Sequence, residues 1–130
     1  MLRPVVISML CSLFLLGCGK DDPERILAKD REKILKYIAD NNLNAQEHST
    51  GIFYVIETQG SGSFPRANSV VVINYTGYLL NGKVFDSNHE IALSLSHTIL
   101  GWQYGIPLFQ RGSKGKLLIP SGLGYGEFPR

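Results

Sequence analysis

Val71-Val72-Ile73-Asn74-Tyr75-Thr76-Gly77-Tyr78-Leu79-Leu80-Asn81-Gly82-Lys83-Val84-Phe85-Asp86-Ser87 is the stretch on which the fold turns. From Val70 to Thr76 the chain is rich in β-branched residues, the composition of a strand. Tyr78-Leu79-Leu80 and Lys83-Val84-Phe85 then flank Asn81-Gly82. That dipeptide is the strongest short hairpin signal, because both central residues of the favoured two-residue turn take positive φ. The spacing predicts antiparallel strands reversing at 81–82. The same stretch carries two aromatic residues, Tyr75 and Phe85, and one carboxylate, Asp86.

Working outward, Ile52 to Glu57 is β-rich and Gly60-Ser61-Gly62 breaks it. Downstream, Ile91 to Ser96 alternates apolar and polar, as a half-buried strand does. Gly101-Trp102 opens a short helix with Ile106, Leu108 and Phe109 on its apolar side and Gly112 closing it. Pro107 is tolerable there only near a first turn, where no intrahelical donor is lost. Lys116 to Ile119 is a further strand, and Pro120-Ser121-Gly122 reads as a turn. These elements predict an α+β fold: an antiparallel sheet curled over one short helix.

A separate helix precedes the sheet. Asp22-Pro23 is its start, an N-cap acid followed by proline at the first helical position, and Glu24 adds charge that suits the first turn. Apolar residues follow at 26, 27, 34, 35, 37 and 38, and Asn41-Asn42 ends the run. Positions 28–33 carry little apolar surface, so the expectation for 23–48 is a semi-detached helical spacer. A partner-binding or dimerising helix is the alternative, disfavoured because no heptad is sustained.

The first residues read as a leader. Met1-Leu2-Arg3-Pro4 carries one positive side chain, and the apolar run Val5 to Leu16 is well short of the roughly 20 residues that span a bilayer. It ends on Leu15-Leu16-Gly17-Cys18, which resembles a bacterial lipoprotein signal cleaved before Cys18. The reading is a signal peptide over 1–17, a lipidated tether over 18–22 with the lipid on Cys18, and a lipid-anchored location in the cell envelope, at the outer membrane and periplasmic or surface-exposed. Cys18-Gly19-Lys20-Asp21-Asp22 fits either a surface-export signal or a solvated tether. Cys11 leaves with the leader, so the remaining chain has no free thiol or internal disulfide.

Several chemistries are excluded. A formal charge of +2 over 130 residues, with no basic run, argues against nucleic acid. His48, His89 and His97 lack neighbours at ligand spacing, so no metal or other cofactor is expected. Gly112-Ser113-Lys114-Gly115 lacks the frame of a phosphate loop, and no Gly-x-Ser-x-Gly elbow occurs. An aromatic set with one carboxylate remains. Each aromatic taken singly reads as core. Taken with Asp86, which is costly to bury unpartnered, the set reads as a pocket.

At these residues the chain resembles the FKBP-type peptidyl-prolyl cis–trans isomerases. The resemblance rests on Val71 to Leu79, Asn81 to Ser87, Ile99-Leu100-Gly101-Trp102 and Leu117 to Gly126, with Ser49 to Tyr54 and Gly105 to Phe109 in support, and covers about residues 49–130. It implies that Trp102 is the floor on which a substrate proline ring rests and that Tyr75 and Phe85 are walls. It implies that Asp86 sits beside the Tyr75 hydroxyl, and that the Ile99 N–H and the Tyr125 hydroxyl donate to substrate carbonyls. Leu93 and Thr98 stand where the family usually has Phe and often has Val. They imply a less aromatic substrate-binding wall. The family pattern continues past Tyr125-Gly126 to a last strand, whereas the sequence ends at Arg130, so the resemblance implies a domain lacking that strand. The implied activity is isomerisation of X–Pro bonds in unfolded or partly folded envelope polypeptides by a lipid-anchored monomer. A non-catalytic module that binds proline-containing segments is the alternative.

Overall fold

The structure, a computed structural model, describes residues 22–126. The expected signal peptide, Cys18 with most of its tether, and the last four residues lie outside the described residues.

Helix α1 spans Pro23–Asp40. The Asp22 carboxylate accepts the Glu24 N–H at 3.3 Å, and Pro23 takes the first turn where no donor is lost. At the other end Asn42 adopts φ 51°, a left-handed termination that asparagine tolerates. A short strand β1 (Gln46–Glu47) pairs with β2 (Phe53–Thr58), which pairs with β5 (Lys114–Leu118), all antiparallel. A second antiparallel unit joins β3 (Val70–Tyr78) to β4 (Val84–Ser94). Between β4 and β5 lies α2 (Leu100–Gly105).

The three-stranded sheet sits between the two helices, and its pleat decides which side chain goes where. Phe53, Val55 and Leu118 point to α1 and form the core with Ile34, which is 3% exposed. Tyr37, Ile38, Leu43 and Ala45 pack around them. Leu117 and Ile119 point the other way, onto α2. A Cβ at Gly101 would come within 2.5 Å of Ile119, and one at Gly105 within 2.7 Å of Leu117. Glycines one turn apart therefore let α2 lie directly on the sheet.

α1 is not semi-detached. Ile34 enters the core, and Arg31 forms a bidentate pair with Glu47 of β1 at 2.8 and 3.0 Å. Asp30 reaches Ser121, far along the chain. The sequence pattern missed this because a single buried Ile plus polar ties anchor the helix, rather than a broad apolar stripe. No described helix is long and apolar enough to cross a membrane.

Two local expectations are corrected. The hairpin does not turn on two residues. Leu79 N–H donates to the Lys83 carbonyl and Gly82 N–H to the Leu79 carbonyl, both at 2.9 Å, and only Gly82 has positive φ, at 89°. This is a three-residue loop with glycine at its left-handed position, whose G1 geometry follows the strand twist as well as the two-residue turn does. The helix after Ile99 does not run to Gly112. Its α-helical part stops at Gly105, and a 3₁₀ turn at Ile106–Leu108 takes over. Pro107 sits in the first positions of that turn, where its missing N–H costs nothing.

Candidate functional site

β4 is one continuous strand with two irregularities, and these aim the site. Gly77 pairs with Asp86 and Tyr78 with Val84, leaving Phe85 as an extra residue. A bulge of this kind re-aims side chains at a strand. Asp86 faces Tyr75, whose hydroxyl donates to its Oδ2 at 2.5 Å. Phe85 lies over Gly77, where a Cβ would come within 2.7 Å of its ring. Tyr75 and Gly77 are two apart on β3 and share a face. The bulge thus puts the consecutive residues Phe85 and Asp86 on the same side of the hairpin. At the second irregularity His89 and Glu90 oppose Asn74 alone, and Glu90, at φ 51°, donates its N–H to Asn74 Oδ1 at 2.6 Å.

α2 brings Trp102 to this face. With Gly101 set against Ile119, the next residue is rotated about 100° toward the hairpin. The Trp102 and Tyr75 rings meet edge to face, 4.8 Å apart at 82°. Such a pair contributes about 0.5–1.5 kcal/mol beyond the area it buries. Tyr125 reaches the same region from the turn after β5, its ring 5.6 Å from Phe85 and at 78° to it. Tyr75, Trp102 and Asp86 are half-buried, whereas Phe85 is 46% exposed and Tyr125 57% exposed. Core aromatics would be covered. These rings form an open apolar face with a carboxylate and hydroxyls at its edge.

The Tyr75 hydroxyl is held from two sides. Donation to Asp86 raises its pKa above the ordinary tyrosine range, and the Asn88 amide, which donates to the same oxygen at 3.1 Å, acts in the opposite direction. Burial, the Asp86 charge and the nearby Tyr125 hydroxyl add to the rise. The net effect keeps Tyr75 protonated.

Ile99 caps α2, its carbonyl accepting from Trp102 N–H at 3.0 Å and Gln103 N–H at 3.2 Å. Its own N–H donates to no described residue. Thr98 is fixed alongside. Its hydroxyl donates to the Leu95 carbonyl at 2.7 Å, and its carbonyl accepts the Gln103 amide at 2.9 Å. Leu95 is fully buried and ties this segment to Ser69 at the foot of β3. Leu93 is half-buried on β4 opposite Val71.

Of the residues singled out from the sequence, Tyr75, Asp86 and Trp102 meet in one cluster and Phe85 and Tyr125 in an adjoining one. Ile99 and Thr98 lie at the start of α2, and Leu93 lies further along β4. Phe85 and Tyr125 leave the face open to solvent, and Phe85, Trp102 and Tyr125 line neither of two shallow depressions of about 440 and 560 Å³. Tyr75 lines the larger with Asn74, Thr76, Ser87, Asn88 and His89. Among the described residues no three His, Cys, Asp or Glu side chains gather as metal ligands do. Sequence reasoning missed Asn88 and Gln103. A glutamine in a first helical turn is a visible sign of a side chain that can reach back to the preceding loop. Asn88 has no such sign, since its contact depends on the bulged register.

Comparison with known proteins agrees with this fold. The family model described as FKBP-type peptidyl-prolyl cis-trans isomerase matches residues 61–130. The FKBP-type peptidyl-prolyl cis-trans isomerase FkpA of Buchnera aphidicola (subsp. Schizaphis graminum) is 41% identical over 84 residues, 61% of this chain and 33% of that protein. A probable FKBP-type peptidyl-prolyl cis-trans isomerase of Haemophilus influenzae is 34% identical over 119 residues, 87% of this chain and 49% of that protein. The chain thus spans between a third and a half of these relatives' length. A crystal structure of a peptidyl-prolyl cis-trans isomerase from Pseudomonas syringae pv. tomato superposes with a TM-score of 0.69 at 33% identity, covering 83% of this chain and 81% of that one. The matched span takes in the bulged hairpin, the Trp102 helix and the Tyr125 turn, and by it the chain belongs to the FKBP-type peptidyl-prolyl cis–trans isomerase family.

Proposed function

We propose that this protein catalyses cis–trans isomerisation of X–Pro bonds in unfolded or partly folded polypeptides, on the open aromatic face formed by Tyr75, Phe85, Trp102 and Tyr125. The observation that carries the reading is the Tyr75–Asp86–Trp102 cluster set beside an Ile99 N–H without a described partner. The substrate proline ring rests on Trp102 between Tyr75 and Phe85. The Ile99 N–H and the Tyr125 hydroxyl donate to carbonyls flanking the rotating bond. Asp86 holds the Tyr75 hydroxyl in place. Leu93 and Thr98 contact the residues around the proline.

The chemistry asks for little more. Rotation about the bond must break amide resonance, a barrier of about 20 kcal/mol, and takes tens to hundreds of seconds unaided. A thousandfold acceleration needs about 4 kcal/mol. The planar amide is more dipolar than the twisted one, so moving it onto an apolar face destabilises the ground state. Burying an amide costs a few kcal/mol, which is the right size. No bond to the protein forms and no proton moves, which agrees with a site whose one phenol at the carboxylate is held protonated.

The sequence Leu15-Leu16-Gly17-Cys18 supports the further proposal that Cys18 is lipidated and holds the protein, as a monomer, at a membrane of the cell envelope. Several acyl chains anchor a protein firmly where one does not. The activity is tested by protease-coupled isomerisation of a proline tetrapeptide. Acceleration above buffer supports the enzyme. Binding of the peptide without acceleration makes the face a binding module instead. Anchoring is tested by fractionation. Cys18→Ser moves the protein from membrane to soluble fractions if the lipid is on that residue, and leaves it in place if not.

A further inference from the structure

Helix α1 touches the rest of the molecule at a place that bears on the aromatic face. Asp30, in its second turn, accepts two hydrogen bonds from one residue, the Ser121 N–H at 2.9 Å and the Ser121 hydroxyl at 2.5 Å. Ser121 is in turn the hub of the segment that carries Tyr125. Its carbonyl accepts from Gly124 N–H at 3.0 Å and from Gly126 N–H at 2.9 Å. Tyr125 lies between those two glycines, and its ring packs on Phe85. Pro120, just before, is fully buried, and a Cβ at Gly51 would stand in ordinary van der Waals contact with both Pro120 and Leu27 of α1. The turn is therefore gripped by α1 on one side and presents Tyr125 on the other.

We infer that Asp30 is a positioning residue for the aromatic face, holding Tyr125 against Phe85 through Ser121. It touches neither ring. A carboxylate engaging both the amide and the hydroxyl of one residue fixes that residue's peptide plane and rotamer together. With Ser121 set, its carbonyl is aimed and the Gly124–Gly126 loop closes on it. Without it, three glycines at 122, 124 and 126 leave the segment free to take many backbone states. A 57% exposed tyrosine has little packing of its own to hold it in their place. α1 thus belongs to the site as well as to the core. The inference rests on the isomerase reading only for its effect on activity. The linkage itself stands on geometry.

The neighbouring tie of the same helix supplies the control. Arg31 binds Glu47 and does not touch the turn. In Asp30→Ala, amide hydrogen exchange at Ser121, Gly124 and Gly126 speeds up and the nuclear Overhauser contact between the Tyr125 and Phe85 rings is lost. In Arg31→Ala both stay as in the unaltered protein. Ser121→Ala, which keeps the amide and removes only the hydroxyl, gives a partial loss and serves if Asp30→Ala does not fold. For isomerisation, Asp30→Ala lowers kcat/KM about tenfold, below the ~100-fold of a 1 Å misplacement, and Asp30→Asn restores most of it. In a Tyr125→Ala background the same change has no further effect, the signature of one residue acting through another. Undisturbed exchange and ring contact in both Asp30→Ala and Ser121→Ala overturn the inference, as does an equal loss of kcat/KM with and without Tyr125. If the unaltered protein shows no isomerase activity, the functional reading falls. The exchange and ring-contact measurements then still decide the linkage.

Discussion

Tyr75 has one hydroxyl proton and two neighbours, and their opposition defines the edge of the site. Asp86 takes the proton as a hydrogen bond and Asn88 donates to the oxygen, with the Asp86 effect the larger. The fold therefore favours the protonated phenol. That contribution is complete below about pH 10, the unfolded value, and fades as pH rises through the higher folded one. Tyr75→Phe should cost about 1 kcal/mol near neutrality, and the gap to the unaltered protein should close in alkali. Urea midpoints at about pH 8 and about pH 11 check this; a gap that persists or widens counts against the assignment. Gly77 makes a second test. A Cβ there would meet the end of the half-exposed Phe85 ring at 2.7 Å, a group that can move aside. Gly77→Ala should change stability by less than about 1 kcal/mol yet lower kcat/KM several-fold by shifting one wall. An unaltered kcat/KM removes Phe85 from the site. At this scale the sequence resemblance anticipated the Tyr75–Asp86 pair. It could not anticipate Asn88, whose reach depends on a register shift that no residue type announces.

At the scale of elements, the sheet is held between two helices by opposite faces of the same strands. Leu118 serves α1 while Leu117 and Ile119 serve α2. Ile34 is the apolar peg of α1, and replacing it with Ala should destabilise the protein by about 2–5 kcal/mol. Thermal or urea unfolding followed by circular dichroism measures it. A loss under about 1 kcal/mol would mean that α1 is the loose spacer its polar stretch suggested. β-branched composition located β2 and β3, and Asp22-Pro23 located the start of α1, because caps and strand composition are local properties. The limits of sequence reasoning lay where the backbone departs from regularity. β4 reads as two fragments, since the bulges at Phe85 and at His89–Glu90 interrupt its alternation, and a glutamate at positive φ leaves no mark in sequence. The hairpin turn was located correctly but given the wrong length. Asn81-Gly82 is compatible with two loop types, and the Asn81 conformation separates them, since its φ is not positive.

Across the whole molecule, the elements converge on one face. The bulged hairpin supplies Tyr75, Phe85 and Asp86, α2 and its N-cap supply Trp102 and Ile99, and the turn gripped by α1 supplies Tyr125. Family membership follows from the match over residues 61–130, whereas the use of this face by this protein is the proposal. The most direct test is exchange spectroscopy by NMR on a short X–Pro peptide, with the unaltered protein and Trp102→Ala side by side. The account predicts that the unaltered protein brings cis–trans exchange from tens of seconds to tens of milliseconds, about a thousandfold. It predicts that a folded Trp102→Ala loses at least nine-tenths of that acceleration. Exchange no faster than in buffer, or a folded Trp102→Ala as active as the unaltered protein, would contradict it.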